Sequence, residues 1–298
     1  MKYKTVSEMA AAWGISERSV RNYCAQGKVP GAILDGKTWR IPENALKPER
    51  KKRAGKVSSD LLTRLRMEKE SDIPGGIYHK IQIELTYNSN HMEGSRLSHD
   101  QTRYIFETNT IGVQNDSVNV DDIVETANHF KCVDQVIELA NYSLSESFIK
   151  QLHGILKSGT SDSRKAWFAV GDYKRFENEV GGNPTAAPED VAKEMKQLLK
   201  KYNAEKQKTF RDIIELHYEF ERIHPFQDGN GRIGRLIMFK ECLRNGITPF
   251  IIEDDMKEYY YRGLKEWKNE SGYLIDTCLA AQDRFKVYMD YFGLDYSD

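Results

Sequence analysis

Twelve consecutive residues, HPFQDGNGRIGR at positions 224–235, combine one histidine and one aspartate with three glycines and two arginines. His224 is the only side chain among them that accepts a proton near neutral pH. Asp228 can bind a magnesium ion that bridges two phosphates, and Arg232 and Arg235 can donate charge-assisted hydrogen bonds to phosphate oxygens. This combination indicates phosphoryl or nucleotidyl transfer, in a sequence without a GxxxxGK[ST] phosphate-binding loop.

The flanking residues place this stretch between two helices. Apolar residues recur at helical spacing in segment 210–223, and this helix must end near Pro225 because a residue before proline avoids the helical region. His224 is therefore expected at a helix end, and a second helix is expected from residue 230 to Gly246. The glycines then lie at a helix N-terminus, where unpaired N–H groups and the positive end of the dipole favour an anion.

Two simpler interpretations of this stretch carry less weight. A calcium-binding loop is excluded, because the sixth and twelfth positions counted from Asp228 are Ile233 and Phe239 where glycine and glutamate are required. Taken alone, a histidine at a helix end is usually a cap or packing residue, and a glycine-rich turn is usually only a turn. The complete set within twelve residues is far more specific than any of its members.

The stretch also matches the Fic-domain signature HxFx[DE]GNGRxxR at every fixed position. The resemblance extends over roughly residues 60–290 and includes VGDYKRFENEVGG (170–182) and EYYYRGLKEW (258–267). It implies an all-helical domain with a β-hairpin flap. Most proteins with this intact signature resemble enzymes that transfer AMP from ATP to a protein hydroxyl and release pyrophosphate, so the resemblance implies ATP and Mg²⁺ as cofactors and a Ser, Thr or Tyr hydroxyl on a target protein.

The resemblance also implies a role for each residue of the signature. His224 deprotonates the target hydroxyl, Asp228 binds Mg²⁺, and Phe226 lies beneath the nucleotide-binding loop. The nucleotide-binding set further comprises the anion-hole residues Gly229, Asn230 and Gly231, the β- and γ-phosphate ligands Arg232 and Arg235, and two candidates to flank the adenine, Tyr259 and Tyr260.

Segment 173–188 is the one clear exception to helical patterning in the large domain. A Gly-Gly pair, Gly181 and Gly182, separates short extended runs, while Pro184 and Pro188 exclude a helix, so a hairpin is predicted. The resemblance implies that this flap pairs with an extended target segment through main-chain hydrogen bonds. Lys174, Val180, Gly181 and Gly182 are the expected docking residues; Lys174 stands where the family often has arginine.

The stretch TYNSNHMEGS (86–95) has the pattern of an inhibitory motif. Ser89 and Glu93 lie four residues apart, immediately before Gly94, as at a helix C-terminus with a glycine cap. A carboxylate there is unfavourable with the helix dipole, so a compensating partner is expected. The stretch resembles the Fic inhibitory motif [ST]xxxE[GN], which implies that Glu93 pairs with Arg235 and that ATP binds in an unproductive pose. We expect the resting enzyme to be largely self-inhibited.

Three alternative functions remain beside adenylyl transfer. Glu93 could position a water for the reverse reaction, removal of AMP from a target. The chain could instead be a DNA-binding regulator that only senses nucleotide through a degenerate site, although the intact signature speaks against degeneracy. Phosphoryl transfer, as in the related Doc toxins, is less favoured because their signature has lysine where Gly231 stands.

The first 57 residues differ from the rest in charge and pattern. They contain 13 lysines and arginines against 5 acidic residues, whereas the remainder is net negative. Two short helices and a hairpin are predicted, and the stretch resembles the winged helix-turn-helix domains of excisionases and of the MerR type. DNA binding is implied, with the alternative of a basic adaptor that docks a protein. The candidate contacts are Arg18, Arg21 and Asn22 for bases, and Lys28, Lys37 and Arg40 for phosphates.

Composition bounds the remaining expectations for this chain of 298 residues. We expect a mainly α protein of two domains, a winged helix-turn-helix domain at 1–56 and a Fic domain with an N-terminal inhibitory helix at 57–298. No stretch approaches the roughly eighteen apolar residues of a membrane helix, so a soluble cytoplasmic protein without a membrane partner is expected. The four cysteines lie far apart without a CxxC pair, which argues against zinc and for packing roles.

Overall fold

The computed structural model describes six segments of the chain, residues 2–13, 17–25, 27–35, 38–48, 60–112 and 117–296, except the side chains of residues 18, 19, 22 and 183. The chain divides into two units, Met1–Val57 (unit 1) and Ser58–Asp298 (unit 2). The domain boundary expected at residues 56 and 57 lies outside the described residues. In the described part of the chain, every helix is too short or too polar to span a membrane.

Unit 1 contains two helices and a small antiparallel sheet. Its elements are, in chain order, β1 (Tyr3–Lys4), α1 (Val6–Trp13), α2 (Glu17–Ala25), β2 (Ile33–Asp35) and β3 (Thr38–Pro42). The strand order is β1-β3-β2, with Tyr3 opposite Pro42 and Ile33 opposite Arg40. The two helices and the hairpin wing are confirmed, whereas strand β1 was missed. The residues that connect α1 to α2 and β2 to β3 lie outside the described segments.

The core of unit 1 follows from the apolar spacing of its two helices. Trp13 packs partly buried at the edge of this core, and its indole N–H donates to the carbonyl of Ala45 at 3.3 Å. The apolar side chains of the two helices are buried against strand β3, and this burial stabilises so small a unit. The buried apolar residues are Val6, Met9, Ala10, Val20, Cys24, Val29 and Ile41.

Unit 2 is helical, with one short hairpin. The predicted fold class, an all-helical domain with a β-hairpin preceded by a helix-turn-helix, is confirmed. Two single 3₁₀ turns, Asp162–Arg164 and Asp254–Met256, interrupt the connections. The elements are α3 (Leu61–Glu70), α4 (Ile77–Met92), α5 (His99–Thr108), α6 (Val120–Glu138), α7 (Glu146–Lys157), β4 (Glu179–Val180), β5 (Asn183–Pro184), α8 (Pro188–Ala204), α9 (Phe210–Ile223), α10 (Asn230–Asn245), α11 (Lys257–Glu266) and α12 (Gly272–Phe292).

Helix α10 is the central element of unit 2. It packs against α4, α6, α7 and α9. Its side chains are buried on all sides, including Ile233, Leu236 and Phe239, and a helix that is buried all round belongs in a core. The helix starts directly after the loop at 224–229, so this loop enters the most firmly packed element of the unit.

The predicted hairpin is confirmed as the pair of strands β4 and β5. Glu179 lies opposite Pro184 in antiparallel register. Gly181 and Gly182 connect the strands with φ angles of 57° and 76°. Positive φ at both central residues is what the favoured two-residue hairpin turn requires, so the Gly-Gly pair determines this turn. Helix α8 then begins at Pro188, which suits the first position of a helix.

The four cysteines occupy packing positions. Cys24 lies in unit 1, and Cys132, Cys242 and Cys278 lie in unit 2; each is buried and has a free thiol. Burial raises the pKa of all four thiols. They are therefore protonated at neutral pH, and their burial confirms the expected packing role.

Candidate active site

His224 ends helix α9 in the left-handed conformation. Its φ is 51°, and its backbone N–H donates to the carbonyl of Phe220 at 2.9 Å. A non-glycine residue in this conformation costs on the order of 1 kcal/mol, and Pro225 prevents a further helical turn. His224 therefore lies at the end of one helix and the start of the loop 224–229, as the sequence predicted.

The imidazole of His224 is partly buried and neutral. Its Nδ1 is buried and lies 3.8 Å from Oε2 of Glu221, so Nε2 is the ring nitrogen left to face the site. Burial, with a smaller contribution from the charge of Lys174, lowers the pKa of His224 to about 4. At neutral pH the ring is unprotonated and can accept a proton.

Phe226 and Asn230 hold the loop to the core. Phe226 is fully buried, and its ring stacks parallel on His153 with centroids 4.0 Å apart. Asn230 accepts a hydrogen bond from the backbone N–H of Phe226 and donates one to its carbonyl, both at 2.8 Å. The Phe226 side chain packs inside the protein beneath the loop, as the resemblance implied, so it can contribute to a nucleotide site only through the loop that it supports. Asn230 can offer a nucleotide only its backbone N–H.

The N-terminus of helix α10 has the features of an anion site. Its cap residue Gly229 has a φ of 84° and makes no side-chain capping bond. The first N–H groups of a helix have no intrahelical partner, and the helix dipole adds positive potential there. A Cβ atom at Gly231 would lie 2.2 Å from Oε1 of Glu93, so the Glu93 carboxylate occupies space that a side chain at residue 231 would fill.

Arg235 is 4% exposed and bound by the last turn of α4. Its Nε donates to Oγ of Ser89 at 3.0 Å, and its Nη2 donates to the carbonyl of Ser89 at 2.9 Å and to Oε1 of Glu93 at 2.7 Å. Burial opposes the charge of Arg235, but Glu93 outweighs this effect and raises the pKa of the guanidinium. The pairing of Glu93 with Arg235 that the SxxxEG motif implied is present.

Asp228 lies in a cluster of opposite charges. Its Oδ2 accepts hydrogen bonds from Nη2 of Arg232 at 3.2 Å and from Nζ of Lys157 at 2.7 Å, and Nη1 of Arg232 pairs with Glu125. Burial alone would raise the pKa of Asp228, but the charges of Arg232 and Lys157 outweigh it and hold the pKa at about 2. Asp228 is therefore ionised at neutral pH.

The donor set suits a magnesium ion held together with phosphates. The Asp228 side chain is 48% exposed. Among the described residues, no group of three or more histidine, cysteine or acidic side chains forms a metal-binding cage. Magnesium usually binds through one or two carboxylates and completes its shell with water and substrate phosphates, so a single accessible carboxylate beside an anion site fits it.

Comparison with known families decides what kind of domain holds this site. Residues 143–242 match the family model described as Fic/DOC family, and residues 5–47 match the model described as Helix-turn-helix domain. The chain carries a Fic domain. Both resemblances inferred from the sequence are therefore confirmed, and the stretch 224–235 lies inside the matched Fic segment.

Relatives and solved structures agree with this assignment. Proteins named "Protein adenylyltransferase Fic" from Drosophila grimshawi and Drosophila melanogaster are 29% and 30% identical over 187 residues, which are 60% of this chain and 36% of each relative. The chain thus spans about a third of the length of these curated relatives. A Fic domain containing signaling protein from Bacteroides thetaiotaomicron has a TM-score of 0.58 at 27% identity, covering 77% of this chain and 90% of that one.

A second solved structure supports the fold alone. A Fic family protein from Desulfovibrio desulfuricans has a TM-score of 0.60 at 20% identity, and the match covers 80% of this chain and 74% of that one. The likeness shows that unit 2 has the all-helical architecture of the Fic fold.

Several residues at the Fic site gave no signal in the sequence. Glu125 and Lys157 contact the signature from helices α6 and α7, and Glu221 lies beside His224 within α9. Burial raises the pKa of Glu221 to about 8. A lysine that follows an apolar helix and a glutamate on an amphipathic helix usually face water, so only the fold identifies these residues as part of the site.

Of the two tyrosines predicted to flank the adenine, Tyr260 is buried and Tyr259 is exposed. Tyr260 is 1% exposed, and its hydroxyl lies 2.6 Å from Nε2 of His217, so it packs in the core of the Fic domain and its prediction is wrong. Tyr259 is exposed. The neighbouring Tyr261 also lies near the site, because its hydroxyl donates to the carbonyl of Met92 at 3.3 Å, next to Glu93.

The flap residue Lys174 was predicted to dock a target segment, but it is buried. It is 3% exposed, and its Nζ donates to Oδ1 of Asn178 and to Oγ1 of Thr185, both at 2.6 Å. Its backbone N–H donates to the carbonyl of Pro225 at 2.8 Å. Lys174 therefore anchors the Fic flap to the signature loop and is not available as a docking residue. Val180, Gly181 and Gly182 are exposed at the hairpin tip.

Unit 1 exposes part of its predicted DNA-binding set. Arg21 extends from α2 and pairs with Glu17 at 2.7 Å, and Arg40 extends from β3 and pairs with Asp35 at 2.8 Å. Lys28 is exposed. The other candidates, Lys37 and the side chains of Arg18 and Asn22, lie outside the described residues.

Proposed function

We propose that the Fic domain of this chain is a protein adenylyltransferase, which transfers AMP from ATP to a hydroxyl group of a target protein. The observation that carries the proposal is a neutral imidazole, His224, one loop away from a helix N-terminus whose first two turns contain the buried Arg232 and Arg235. The proton acceptor and the polyphosphate ligands that the reaction needs are thus adjacent. The names of the curated relatives support this choice of reaction.

The proposed reaction uses His224 as general base. Its Nε2 takes the proton of the target hydroxyl while the hydroxyl oxygen attacks the α-phosphorus of ATP. A new oxygen–phosphorus bond forms, the bond from the α-phosphorus to the bridging oxygen breaks, and pyrophosphate leaves with the electron pair. The target gains AMP, and the proton leaves from the imidazole to solvent.

The phosphates are held by the start of helix α10. The N–H groups of Gly229, Asn230 and Gly231 donate to phosphate oxygens, and Arg232 and Arg235 bind the β- and γ-phosphates. Asp228 is the residue that would hold Mg²⁺, which when bound neutralises charge on the phosphates and on the departing pyrophosphate. Electrostatic groups fixed in advance reduce the cost of reorganisation during the reaction.

We further propose that Glu93 inhibits the resting domain. Glu93 occupies the guanidinium of Arg235, which is then unable to bind a γ-phosphate. A γ-phosphate that is not held leaves the α-phosphorus without a fixed orientation toward the attacking oxygen, and misplacement of about 1 Å can cost two orders of magnitude in rate. Release of Glu93 from Arg235 is therefore the activating event.

Target recognition is proposed to occur along the flap. Glu179 and Val180 form a two-residue edge strand that is exposed, and an extended target segment can add to such an edge through main-chain hydrogen bonds. Lys174 holds the base of the flap to Pro225, next to His224. The attached segment therefore presents its hydroxyl near the base.

A DNA-binding role for unit 1 rests on separate observations. The helix-turn-helix family match, the excess of basic residues at 1–57 and the exposed Arg21 and Arg40 favour a duplex over a protein partner. We propose residues 1–56 as this DNA-binding domain and 57–298 as the Fic domain with its inhibitory helix α4.

The proposed activity is tested with labelled ATP, Mg²⁺ and a cell extract or the protein itself as acceptor. Wild type, His224→Ala and Glu93→Gly are compared side by side. We expect strong label transfer by Glu93→Gly, weak transfer by wild type and none by His224→Ala, with intact mass spectrometry showing a gain of one AMP. No transfer by Glu93→Gly would contradict the proposal.

Mass spectrometry also separates the alternatives. Loss of AMP from a modified acceptor identifies the reverse reaction, and gain of a phosphate identifies phosphoryl transfer. An unchanged acceptor with all three proteins, combined with binding of ATP, identifies a nucleotide sensor. Each of these results would replace the proposed transferase.

A further inference from the structure

Lys157, the last residue of helix α7, is a buried cation in contact with three carboxylates. Its side chain is 2% exposed. Its Nζ lies 2.5 Å from Oε1 of Glu125, 2.7 Å from Oδ2 of Asp228 and 3.1 Å from Oδ2 of Asp162. A lysine this buried is rare unless it is paired, and here it joins two helices to the signature loop.

Asp228 is the member of this cluster that matters for the active site. Its Oδ2 is shared by Lys157 and Arg232, at 2.7 Å and 3.2 Å. Within the described residues the side-chain hydrogen bonds to Asp228 all go to Oδ2, and nearly half of the Asp228 side chain is exposed. Oδ1 is therefore the oxygen that can coordinate a metal cation. The negative charge of the same carboxylate is already compensated by Lys157 and Arg232.

Two neighbouring carboxylates, Glu125 and Asp162, are already paired with cations. Glu125 is bound by both Lys157 and Arg232, and Asp162 is bound by Lys157 and by Lys165 at 2.7 Å. A divalent cation that approached Oδ1 alone would lose several of its waters and gain one carboxylate, beside two fixed positive charges. The negative charge of a polyphosphate would compensate for this repulsion.

We propose that Lys157 prevents Asp228 from holding a divalent cation until a nucleotide is bound. The inference rests on the proposed function, because it assumes that Asp228 is the metal ligand of a nucleotide site. Lys157 thus acts as a positioning residue: it fixes Oδ2, leaves Oδ1 for the cation and makes metal binding dependent on the nucleotide. The domain would take up its cation and nucleotide together.

A purely structural Lys157 makes a different prediction. If the lysine served only to stabilise the cluster, its removal would lower the thermal stability and leave metal affinity unchanged or lower. If it opposes the metal, its removal must raise the affinity for a free divalent cation. The sign of the change in affinity therefore separates the two roles.

The experiment measures free Mn²⁺ by electron paramagnetic resonance while the full chain is titrated with the metal. Titrations are made without nucleotide and with a non-hydrolysable ATP analogue. The proteins are wild type, Lys157→Gln, Lys157→Arg as the charge-conserving control, and Asp228→Asn as the control without the metal ligand. This readout needs no transfer, so it can fail or succeed independently of the labelled-ATP assay.

Without nucleotide, we expect wild type and Lys157→Arg to bind Mn²⁺ weakly and Lys157→Gln to bind it about tenfold more tightly, since one fixed positive charge near the metal is removed. With the analogue, and after subtraction of the Mn²⁺ that the analogue binds without protein, the affinity of wild type should rise by at least tenfold. Asp228→Asn should bind Mn²⁺ weakly in the titrations without the analogue and in those with it. Equal Mn²⁺ affinity of wild type with and without the analogue, or no gain by Lys157→Gln, would overturn the inference.

A second variant guards against misfolding. Lys157→Gln leaves Glu125 and Asp228 with Arg232 as their shared cation and Asp162 with Lys165, so thermal unfolding is measured for each protein. If Lys157→Gln is unfolded, Lys157→Met with Glu125→Gln replaces it, because this pair removes one positive and one negative charge together. Because Lys157 contacts Asp228 directly and Glu125 does not, a smaller gain in Mn²⁺ affinity is expected from this double variant, and no gain in a folded protein would likewise overturn the inference.

Discussion

Arg235 and Glu93 lie 142 residues apart in the sequence, yet Nη2 of the guanidinium donates to Oε1 of the carboxylate at 2.7 Å. Glu93 caps the C-terminus of α4, where its charge opposes the helix dipole, and Arg235 compensates for that charge. The same contact withholds Arg235 from a phosphate. Stability of the helix end and inhibition of the site are thus consequences of one ion pair.

Glu93→Gln is expected to strengthen ATP binding without strengthening AMP binding. The amide keeps the size of the side chain but removes the charge that competes with a γ-phosphate. A charge-assisted hydrogen bond contributes roughly 1.5–3 kcal/mol, so the affinity for ATP should rise by about tenfold or more. Isothermal titration of both nucleotides measures the effect, and an equal gain for AMP would show that Glu93 does not act at the γ-phosphate position.

The pH dependence of transfer should follow the lowered pKa of His224. Because the pKa is depressed to about 4, the imidazole is neutral above that value and loses its function as the pH falls through it. We expect kcat/KM of the Glu93→Gly protein to stay level from pH 8 to about pH 5 and to fall near pH 4. An exposed histidine would give a fall near 6.5.

Lys174→Met serves as the companion variant for this profile. Burial is the main cause of the low pKa, and the positive charge of Lys174 adds to it. Removing that charge in the Glu93→Gly protein should move the acid limb to higher pH, while Glu221 and Asp228, which also act on the ring, stay in place. Circular dichroism at each pH verifies that the protein is folded. If Lys174→Met leaves the acid limb of the kcat/KM profile at the same pH, Lys174 does not contribute to the low pKa of His224.

The contiguous part of the site was predictable because its signals are local. Proline and glycine mark the helix ends around 224–229, and the apolar spacing of 210–223 fixes the face of α9 that is buried. The contact of Glu93 with Arg235 was foreseen only through a resemblance. Glu125 and Lys157 were missed, since they lie 107 and 71 residues from their partners Arg232 and Asp228 and no spacing in the sequence connects them.

The two wrong side-chain assignments have a common physical cause. Three consecutive tyrosines at 259–261 have no apolar period, so the rotation of helix α11 is set by its packing against α12 and not by its own sequence. Lys174 is polar and lies in a loop, which favours exposure, yet Asn178 and Thr185 supply hydrogen bonds that allow it to be buried. Burial of a polar residue depends on partners that only the folded chain assembles.

Glu221→Gln should stabilise the protein, and more so at higher pH. The pKa of Glu221 is raised to about 8, so the folded state binds a proton that the unfolded state releases above pH 4.5. The contribution of the wild-type carboxyl to stability is therefore fully present below pH 4.5 and is lost as the pH rises through 8. Glutamine avoids this loss, and we expect similar melting temperatures at pH 5 but a variant several degrees more stable at pH 8.5.

Differential scanning calorimetry between pH 5 and pH 8.5 measures this effect. Roughly 2–4 °C corresponds to 1 kcal/mol in a domain of this size, so a change of that order is resolved. Glu219→Gln, at a partly exposed position of the same helix where the carboxylate pairs with Arg222, tests whether loss of any carboxylate there has the same consequence. A difference in melting temperature that does not grow with pH for Glu221→Gln would show that Glu221 is ionised in the folded protein.

Asn230→Ala should loosen the loop that carries the signature. It removes both hydrogen bonds to the backbone of Phe226, so the buried N–H loses its partner and the carbonyl keeps only the bond from Nδ2 of Asn178 at 2.9 Å. The expected cost is about 2–4 kcal/mol, which urea unfolding measures. Asn245→Ala, at the other end of α10, loses a single bond to the carbonyl of Glu241 and should cost below about 1 kcal/mol. Equal losses for the two variants would contradict the role of Asn230 in fixing the loop.

DNA binding by the full chain should depend on Arg21 and Arg40. Each is paired with a neighbouring carboxylate, but exposed ion pairs contribute roughly 0–1 kcal/mol and do not prevent contact with a phosphate. Replacement of both by alanine should weaken binding to a labelled duplex and reduce the slope of log K against log salt by about 2, since each phosphate contact contributes about 0.9. Fluorescence anisotropy over a series of salt concentrations measures the slope. Lys201→Ala on helix α8 of unit 2 is the matched control; a slope unchanged by the arginine substitutions, or reduced equally by Lys201→Ala, would exclude this surface of unit 1 as the DNA contact.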